Sequence, residues 1–512
     1  MAPTYSITTL GCKVNQYDGS AIAQALANAG FGPAPAGQRP DLAVINTCCV
    51  TTTAMRKSRL AIRRALRREP AAVLVCGCYS DYDGPALRNL LAADAPPGCD
   101  LYVAGHQDDL PDVLRQIASC GRLCAAGVPP ASCGGMDVLA TAADTAAVPP
   151  AVVSNELTSM SAGCDDDSLA TVSRSGRIKS RRLASVRRNN PQDAALPSIS
   201  HFDQHQRAFV KVQDGCDAFC SYCVVPYARS VLWSRPIHTV VEECRTLLAG
   251  GHKEIVLAGV FLGAYGRATA LRRHWDSQPS QLPQLVRAVA AIEGLWRVRL
   301  SSLEPGDLNG DLLEVIRTCP TVAPHFHLPL QSGSDTVLAR MNRQYDVHTY
   351  LQRVQRLNQA IDRPAVTTDL IVGFPGESDE DFEQTLQAAE QAGLADIHAF
   401  TFSAIEGTAA WVLRHQCPPD TIVRQRLERL EALRQRLAER FCHQFIGEEL
   451  EGVVERPTAS TPNGYRQAMS DRHMTIYFQA APDKHLTGQV LRFKILDIYK
   501  DGLLGAHGRC HC

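Results

Sequence analysis

The sequence predicts an α/β protein in three parts: an N-terminal parallel-sheet α/β domain, a partial (β/α)6 TIM-like barrel, and a small C-terminal β-barrel. Three observations carry that prediction. Over residues 1–110, and again over 209–410, short β-type runs alternate with helical stretches, the rhythm of a parallel sheet with helical crossovers. The second stretch holds six such runs, which suits an open barrel with helices outside. After Gly447 short alternating strands take over, as in small barrels that bind RNA.

In order, "TYSITTL" predicts the first strand and "GSAIAQALANAGF" a helix stopped at Gly30. "DLAVINT" is the next strand. A basic helix follows, "TAMRKSRLAIRRALRRE", ending before Pro70 because proline cannot continue a helix. "AAVLVCG" and "DLYVAG" complete the first sheet. From about 125 to 205, Ala, Ser, Pro, Gly and Asp dominate, and no aromatic residue occurs before Phe202. A segment so poor in core residues is expected to be a mostly disordered linker or insertion. Its basic stretch, "RSGRIKSRRLASVRR", either meets RNA phosphates or is a solvated tract. The barrel strands read "AFVKVQ", "EIVLAG", "RVRLSS", "HFHLPL", "AVTTDLIVGF" and "DIHAFTFS". A long amphipathic helix follows, with Val423, Leu427, Leu430, Leu433, Leu437 and Phe441 at helical spacing. Four strands close the chain: "ELEGVVE", "GYRQAMS", "MTIYFQ" and "GQVLRFKILDIYK". The expected boundaries are 1–115, 116–205, 206–440 and 441–508.

The chain has 512 residues, too many for one core. Its net charge is −1, so any nucleic-acid surface must be a local patch. It has no apolar run long enough to span a bilayer and no secretory-type start, so a cytoplasmic protein with reduced thiols is expected. Nineteen cysteines in that setting point to metal or redox work. Cys99, Cys120, Cys133, Cys164, Cys244, Cys319, Cys417 and Cys442 are scattered and read as bystanders.

Eight others are patterned. "TYSITTLGC" ends at Cys12, "DLAVINTC" at Cys48 and "AAVLVCGC" at Cys78. Each alone is a small buried hydrophobe. Together they put three thiols at three strand ends, along the edge where open α/β sheets bind ligands. Three thiolates there suit an iron–sulfur cluster with one iron left open. Cys49 and Cys76 are ambiguous neighbours, and strand alternation puts Cys76 and Cys78 on one face. Cys48 and Cys78 are preferred because each sits at a turn.

Cys216, Cys220 and Cys223 form C-x3-C-x2-C directly after a strand. Three thiolates so close hold one face of a 4Fe–4S cube, whereas a zinc site would want a fourth ligand. An open iron in a barrel mouth chelates S-adenosylmethionine (SAM) and cleaves it to a 5′-deoxyadenosyl radical, chemistry that belongs to the cofactor.

With "TLGCKVNQYDGS", "NTCCVTTTAMRKSRLAIRR" and "DGCDAFCSYCVVPYAR" in view, the chain resembles the radical-SAM tRNA methylthiotransferase family. Within it, the chain is closest in motif to the bacterial branch acting on N6-threonylcarbamoyladenosine. The resemblance implies a methylthiotransferase N-terminal domain, a radical-SAM core and a C-terminal TRAM domain. It implies two 4Fe–4S clusters, on Cys12, Cys48 and Cys78 and on Cys216, Cys220 and Cys223, plus SAM. From "SSLEP", "HLPLQSGS" and "DLIVGFPGE" it implies SAM-pocket residues Gly259, Ser302, Glu304, Gln331, Asp369 and Gly373. Tyr222 is placed over the adenine, and Arg229 against a charged part of cofactor or RNA. His325 and His327 read as a packed or solvated pair.

The implied reaction abstracts hydrogen from carbon 2 of adenine, adds sulfur, and takes a methyl from a second SAM. The implied partners are a tRNA anticodon loop, an electron donor such as flavodoxin or ferredoxin, and a sulfur donor. The resemblance sets no oligomeric state. RNA contact is expected from Arg56, Lys57, Arg59, Arg63, Arg64, Arg67 and Arg68. In the C-terminal barrel it is expected from Arg456, Arg466, Arg472 and Lys484 with Tyr465 and Tyr477. The chain departs from the family at Ser230 and Trp233, and again at Phe402 and Ile405. The rival readings are the isopentenyl-adenosine branch, a ribosomal-protein aspartate as substrate, and a non-catalytic iron–sulfur RNA-binding protein.

Overall fold

A computed structural model of the chain describes residues 2–105, 110–119, 170–172, 178–180, 196–202, 206–274, 280–480 and 486–507. The N-terminal domain contains β1 (Thr4–Thr9), α1 (Lys13–Asn28), β2 (Gly32–Pro33), β3 (Leu42–Thr47), α2 (Thr52–Leu66), β4 (Ala72–Gly77), α3 (Cys78–Asp94), β5 (Asp100–Val103) and α4 (Leu110–Ser119). Its sheet is parallel throughout, in the order β2-β1-β3-β4-β5. β3 and β4 are buried along their whole length, which is why they read as continuous apolar runs.

Within the expected insertion, β6 (Ala170–Val172) and β7 (Ile178–Ser180) pair as an antiparallel hairpin. Asp165–Asp167 and most of the basic stretch lie outside the described residues.

The second unit runs β8 (Arg207–Asp214), α5 (Val225–Ala228), β9 (Trp233–Ser234), α6 (Ile237–Ala249), β10 (Glu254–Gly259), α7 (Leu282–Ala290), β11 (Arg297–Leu300), α8 (Gly310–Thr318), β12 (His325–His327), α9 (Asp335–Arg340), α10 (Val347–Ala360), β13 (Ala365–Val372), α11 (Asp379–Ala392), β14 (Asp396–Thr401) and α12 (Asp420–His443). β8, β10 and β11 pair in parallel, as do β12, β13 and β14. A single parallel bridge, Val298–Val322, joins the two halves. The six predicted strands therefore form the partial barrel, open between β8 and β14.

The C-terminal unit is a closed barrel, β15-β16-β17-β19-β18, from β15 (Glu449–Glu455), β16 (Arg466–Ser470), β17 (Thr475–Phe478), β18 (Val490–Tyr499) and β19 (Gly502–Ala506). Only β19, "GLLGA", was not expected. Its small residues hide it, yet a Cβ on Gly502 would lie 2.2 Å from Thr475 O, so close strand approach demands glycine there. This barrel seals the floor of the larger one. Arg299 donates to Asp471 O at 2.9 Å, and the His325 and His473 rings stack with centroids 4.7 Å apart. The last turn of α12 belongs to its core, through Phe441 and Cys442.

Candidate active site

The order β1-β3-β4 makes three neighbouring strand ends, and a cysteine follows or closes each. Cys12 caps α1, Cys48 follows β3, and Cys78 opens α3. Gly77, at φ +91°, turns the chain between β4 and Cys78, and a Cβ there would sit 2.4 Å from Asn46 Oδ1. Only glycine allows that turn. A Cβ on Gly11 would lie 2.9 Å from Cys48 Sγ, so the Cys48 sulfur rests against the residue before Cys12. Burial pushes the Cys48 thiol up, and neighbouring Cys12 adds to this. Burial likewise pushes Cys78 up to about 12, while the Arg229 guanidinium opposes the shift.

One expectation fails here. Cys76 does not share a face with Cys78. It packs with Leu42, Val44 and Leu74, whereas Cys78 packs with Cys49, Tyr79 and Val224. The Gly77 turn ends the strand alternation between them. Cys49 donates its thiol to Cys78 O at 3.3 Å and faces Cys48, Cys78 and Cys223. It lies between the two triads.

The second triad wraps the loop after β8. Gly215, at φ +79°, starts it, and a Cβ there would fall 1.9 Å from Val231 O. Cys223 N–H donates to Cys220 O at 2.9 Å. Burial pushes the Cys216 and Cys220 thiols up and takes Cys223 to about 12. Bound iron reverses that, because a coordinating thiol is deprotonated. Among the described residues, neither triad has its sulfurs gathered within 4.8 Å of one another.

Of the SAM-pocket candidates, Glu304 is the best anchored. It accepts from Arg343 at 2.7 Å and from Arg272 at 3.4 Å. Arg343 also donates to Cys220 Sγ at 3.2 Å. Nothing in the sequence around Arg343 and Arg272 marked them. Gly259 N–H faces Ser301 Oγ at 3.3 Å. Ser302 is exposed at the end of β11. Gln331 takes a left-handed φ of +67° and bridges to Leu370. Gly373 turns towards α12, where a Cβ would meet Val423 at 2.8 Å. Tyr222 is half-buried with Phe374, Phe402 and Met341, and its hydroxyl lies 3.5 Å from Arg343.

Asp369 is clamped by two histidines, His327 at 3.2 Å and His398 at 3.1 Å. Those hydrogen bonds hold its carboxyl below the ordinary range against its own burial. Asp369 raises His398 in return. Lys13, next to Cys12, faces this group. Burial lowers its ammonium, with Arg207 and Arg299 adding and Asp369 opposing. His325 and His327 are the packed pair of the two alternatives: both are buried and both meet Thr367 Oγ1, at 3.5 and 2.9 Å, and His325 also stacks on His473.

Other expectations are corrected. Of the two expectations for Arg229, its burial at 1% exposure removes RNA, whereas its bond to Cys78 Sγ keeps it beside an expected cofactor ligand. Arg63 pairs with Asp94 and Arg59 with Tyr79, leaving Arg56, Lys57, Arg64, Arg67 and Arg68 exposed. Arg472 donates to the backbone of Asp362 and Arg363, so it is a domain contact. Tyr477 is buried with its hydroxyl on Asp501 at 2.6 Å, which removes it as a stacking surface. Lys484 lies outside the described residues. The departures at Phe402 and Ile405 are packing positions beside Phe374 and Val224.

Residues 210–389 match the radical SAM superfamily, and residues 4–95 match "Uncharacterized protein family UPF0004". The chain is 31% identical, over 96% of its length and 94% of the relative's, to a threonylcarbamoyladenosine tRNA methylthiotransferase MtaB of Bacillus subtilis. A protein of the same name from Chlamydia pneumoniae is 31% identical over 90% of this chain and 89% of its own. A tRNA-2-methylthio-N(6)-dimethylallyladenosine synthase of Nitratidesulfovibrio vulgaris is 33% identical over 88% of this chain and 86% of its own.

Proposed function

The chain belongs to the tRNA methylthiotransferase family of radical SAM enzymes, and from that premise we propose that it methylthiolates carbon 2 of N6-threonylcarbamoyladenosine beside the anticodon. The observation that carries the reading is the meeting of two cysteine triads at one domain interface, where Arg229 donates to Cys78 Sγ at 3.1 Å and its carbonyl accepts from Cys216 N–H at 3.0 Å. Cys216, Cys220 and Cys223 would hold a 4Fe–4S cluster whose chemistry is one-electron cleavage of SAM, and Cys12, Cys48 and Cys78 would hold a second, whose open iron would carry the sulfur to be transferred.

The chain's own residues set the stage. Arg343 fixes the Cys220 sulfur and Glu304 together. Glu304 is thereby a preformed, charge-balanced wall beside the first site, ready for the SAM ribose or amino group. Tyr222 and its apolar neighbours exclude water from the barrel mouth. The exposed cations of α2 meet the RNA backbone, and the base is splayed from a single-stranded loop. A flavodoxin- or ferredoxin-class protein delivers electrons, and a separate donor renews the sulfur.

The substrate branch follows from charge. Lys13 follows Cys12 in the chain and feels the charge of Asp369, which pairs with His398 at 3.1 Å. They suit a polar N6 substituent that carries a carboxylate and carbonyls. An apolar dimethylallyl group would desolvate those charges without replacing their hydrogen bonds. That second reading rests on the 33% identity to the dimethylallyladenosine relative.

Mass spectrometry of tRNA nucleosides, with and without the gene, separates the two. Loss of the 2-methylthio-threonylcarbamoyl nucleoside, with its parent accumulating, supports the proposal. Loss of the dimethylallyl analogue moves the substrate, and an unchanged profile rejects tRNA as the target.

A further inference from the structure

Arg229 contacts a cysteine of each triad through hydrogen bonds. Its carbonyl accepts from Cys216 N–H at 3.0 Å. Its Nε donates to Cys78 Sγ at 3.1 Å. The other guanidinium donors are also committed. Nη1 meets both oxygens of Asp214, at 2.8 and 2.6 Å. Nη2 meets Asn15 Oδ1 and Asp18 Oδ2, each at 2.9 Å.

This side chain cannot swing. It spans two domains: Asn15 and Asp18 lie on α1, Asp214 ends β8, and Arg229 follows α5. The formal charges already balance without sulfur. Arg229 and Lys211 carry two positive charges, and Asp18 and Asp214 carry two negative ones, with Lys211 bonded to both carboxylates. Charge neutrality alone would not aim Nε at Cys78. A planar fork with five donors does so because its geometry is fixed. A donor on a ligand sulfur stabilises the more negative, reduced state of a cluster and raises its potential.

We propose that Arg229 is a positioning residue which donates its Nε–H to the ligand sulfur of Cys78, fixes the auxiliary site against the radical-SAM loop, and raises the reduction potential of the auxiliary cluster alone. This rests on the two-cluster reading above. The radical-SAM cluster is expected to be indifferent, because the hydrogen-bond donor to its ligand sulfur is Arg343, at Cys220.

The test uses the full chain, reconstituted anaerobically, as wild type, Arg229→Gln and Arg229→Lys. Midpoint potentials of both clusters are followed by EPR-monitored titration, beside iron content, SAM cleavage and methylthio product. In Arg229→Gln the auxiliary potential falls, the radical-SAM potential stays, SAM cleavage continues, and product drops by about tenfold or more, as for loss of other outer-shell partners. Arg229→Lys keeps the charge balance and falls between. Should Arg229→Gln not fold, ENDOR on the wild type after deuterium exchange gives the second readout. One exchangeable proton coupled to the auxiliary cluster supports the proposal, and none overturns it. Unchanged auxiliary potentials in folded variants overturn the proposal alone. A wild type that takes up a single cluster overturns the two-cluster reading and this proposal with it.

Discussion

The two cysteine triads are assembled by opposite routes. Cys216, Cys220 and Cys223 come from one loop after one strand, so chain geometry alone brings them together. Cys12, Cys48 and Cys78 come from three strands, and only the order β1-β3-β4 makes their ends adjacent. The first site is local and the second topological. Their outer partners differ in the same way. Arg343, from the segment after α9 of the same barrel, serves Cys220. Arg229 reaches out of the barrel to serve Cys78 in another domain. The lesson is that the local triad can survive disturbance of the N-terminal sheet, while the topological triad depends on both domains.

The largest expected effect separates the sites outright. Replacing Cys216, Cys220 and Cys223 with alanine takes SAM cleavage and product to background in an anaerobic assay. Replacing Cys12, Cys48 and Cys78 with alanine leaves SAM cleavage and abolishes the methylthio product. Full product from the second variant breaks the comparison.

A smaller effect concerns what lies between the sites. Lys13→Gln removes a charge facing Asp369 without touching a cysteine. A single charge–charge contact contributes up to about 1 kcal/mol, so turnover of a threonylcarbamoyl-modified anticodon stem-loop is expected to fall about fivefold in kcat/KM, with iron content unchanged. Equal activity on charged and dimethylallyl substrates in the wild type would contradict the assigned branch.

Cys76 sharpens the boundary of the topological triad. It is fully buried in an apolar cluster on the other side of the sheet. Cys76→Ser is expected to cost about 1–3 kcal/mol of stability for a poorly satisfied hydroxyl, seen as a lower Tm, with iron uptake intact. Iron loss would make Cys76 a ligand after all.

The smallest effect is a titration. Asp369 raises His398 above 6.5 and is itself held below 3.8. The His398 contribution is full below 6.5 and fades as pH rises through the raised value. The Asp369 contribution is present above 3.8 and fades as pH falls through the depressed one. NMR should therefore find His398 titrating above 6.5, returning towards it in Asp369→Asn.

Legibility in the sequence followed the same division. The cysteine loop announced itself by spacing, and the strand-end triad by one pattern occurring three times. Five of the six barrel strands were visible as buried parallel runs, and β14, mostly exposed, by its β-branched and aromatic residues. Arg343 and Arg272 were invisible because long-range approach, not local pattern, brings them to Glu304. Asn15 and Asp18 stood in the opening motif, yet their burial against Arg229 needed the docked barrel. Arg472 and Tyr477 looked like RNA contacts because composition cannot distinguish a free cation or ring from one already engaged. The Cys76 error came from extending strand alternation past a glycine turn.

The central claim is that this chain carries two clusters facing one substrate. Iron and sulfide quantification with Mössbauer spectroscopy on the anaerobically reconstituted chain tests it most directly. The account predicts about eight irons and eight sulfides per chain, as two 4Fe–4S clusters contain, falling by half when Cys12, Cys48 and Cys78 are replaced. A wild type that takes up one cluster, unaffected by that replacement, would contradict it.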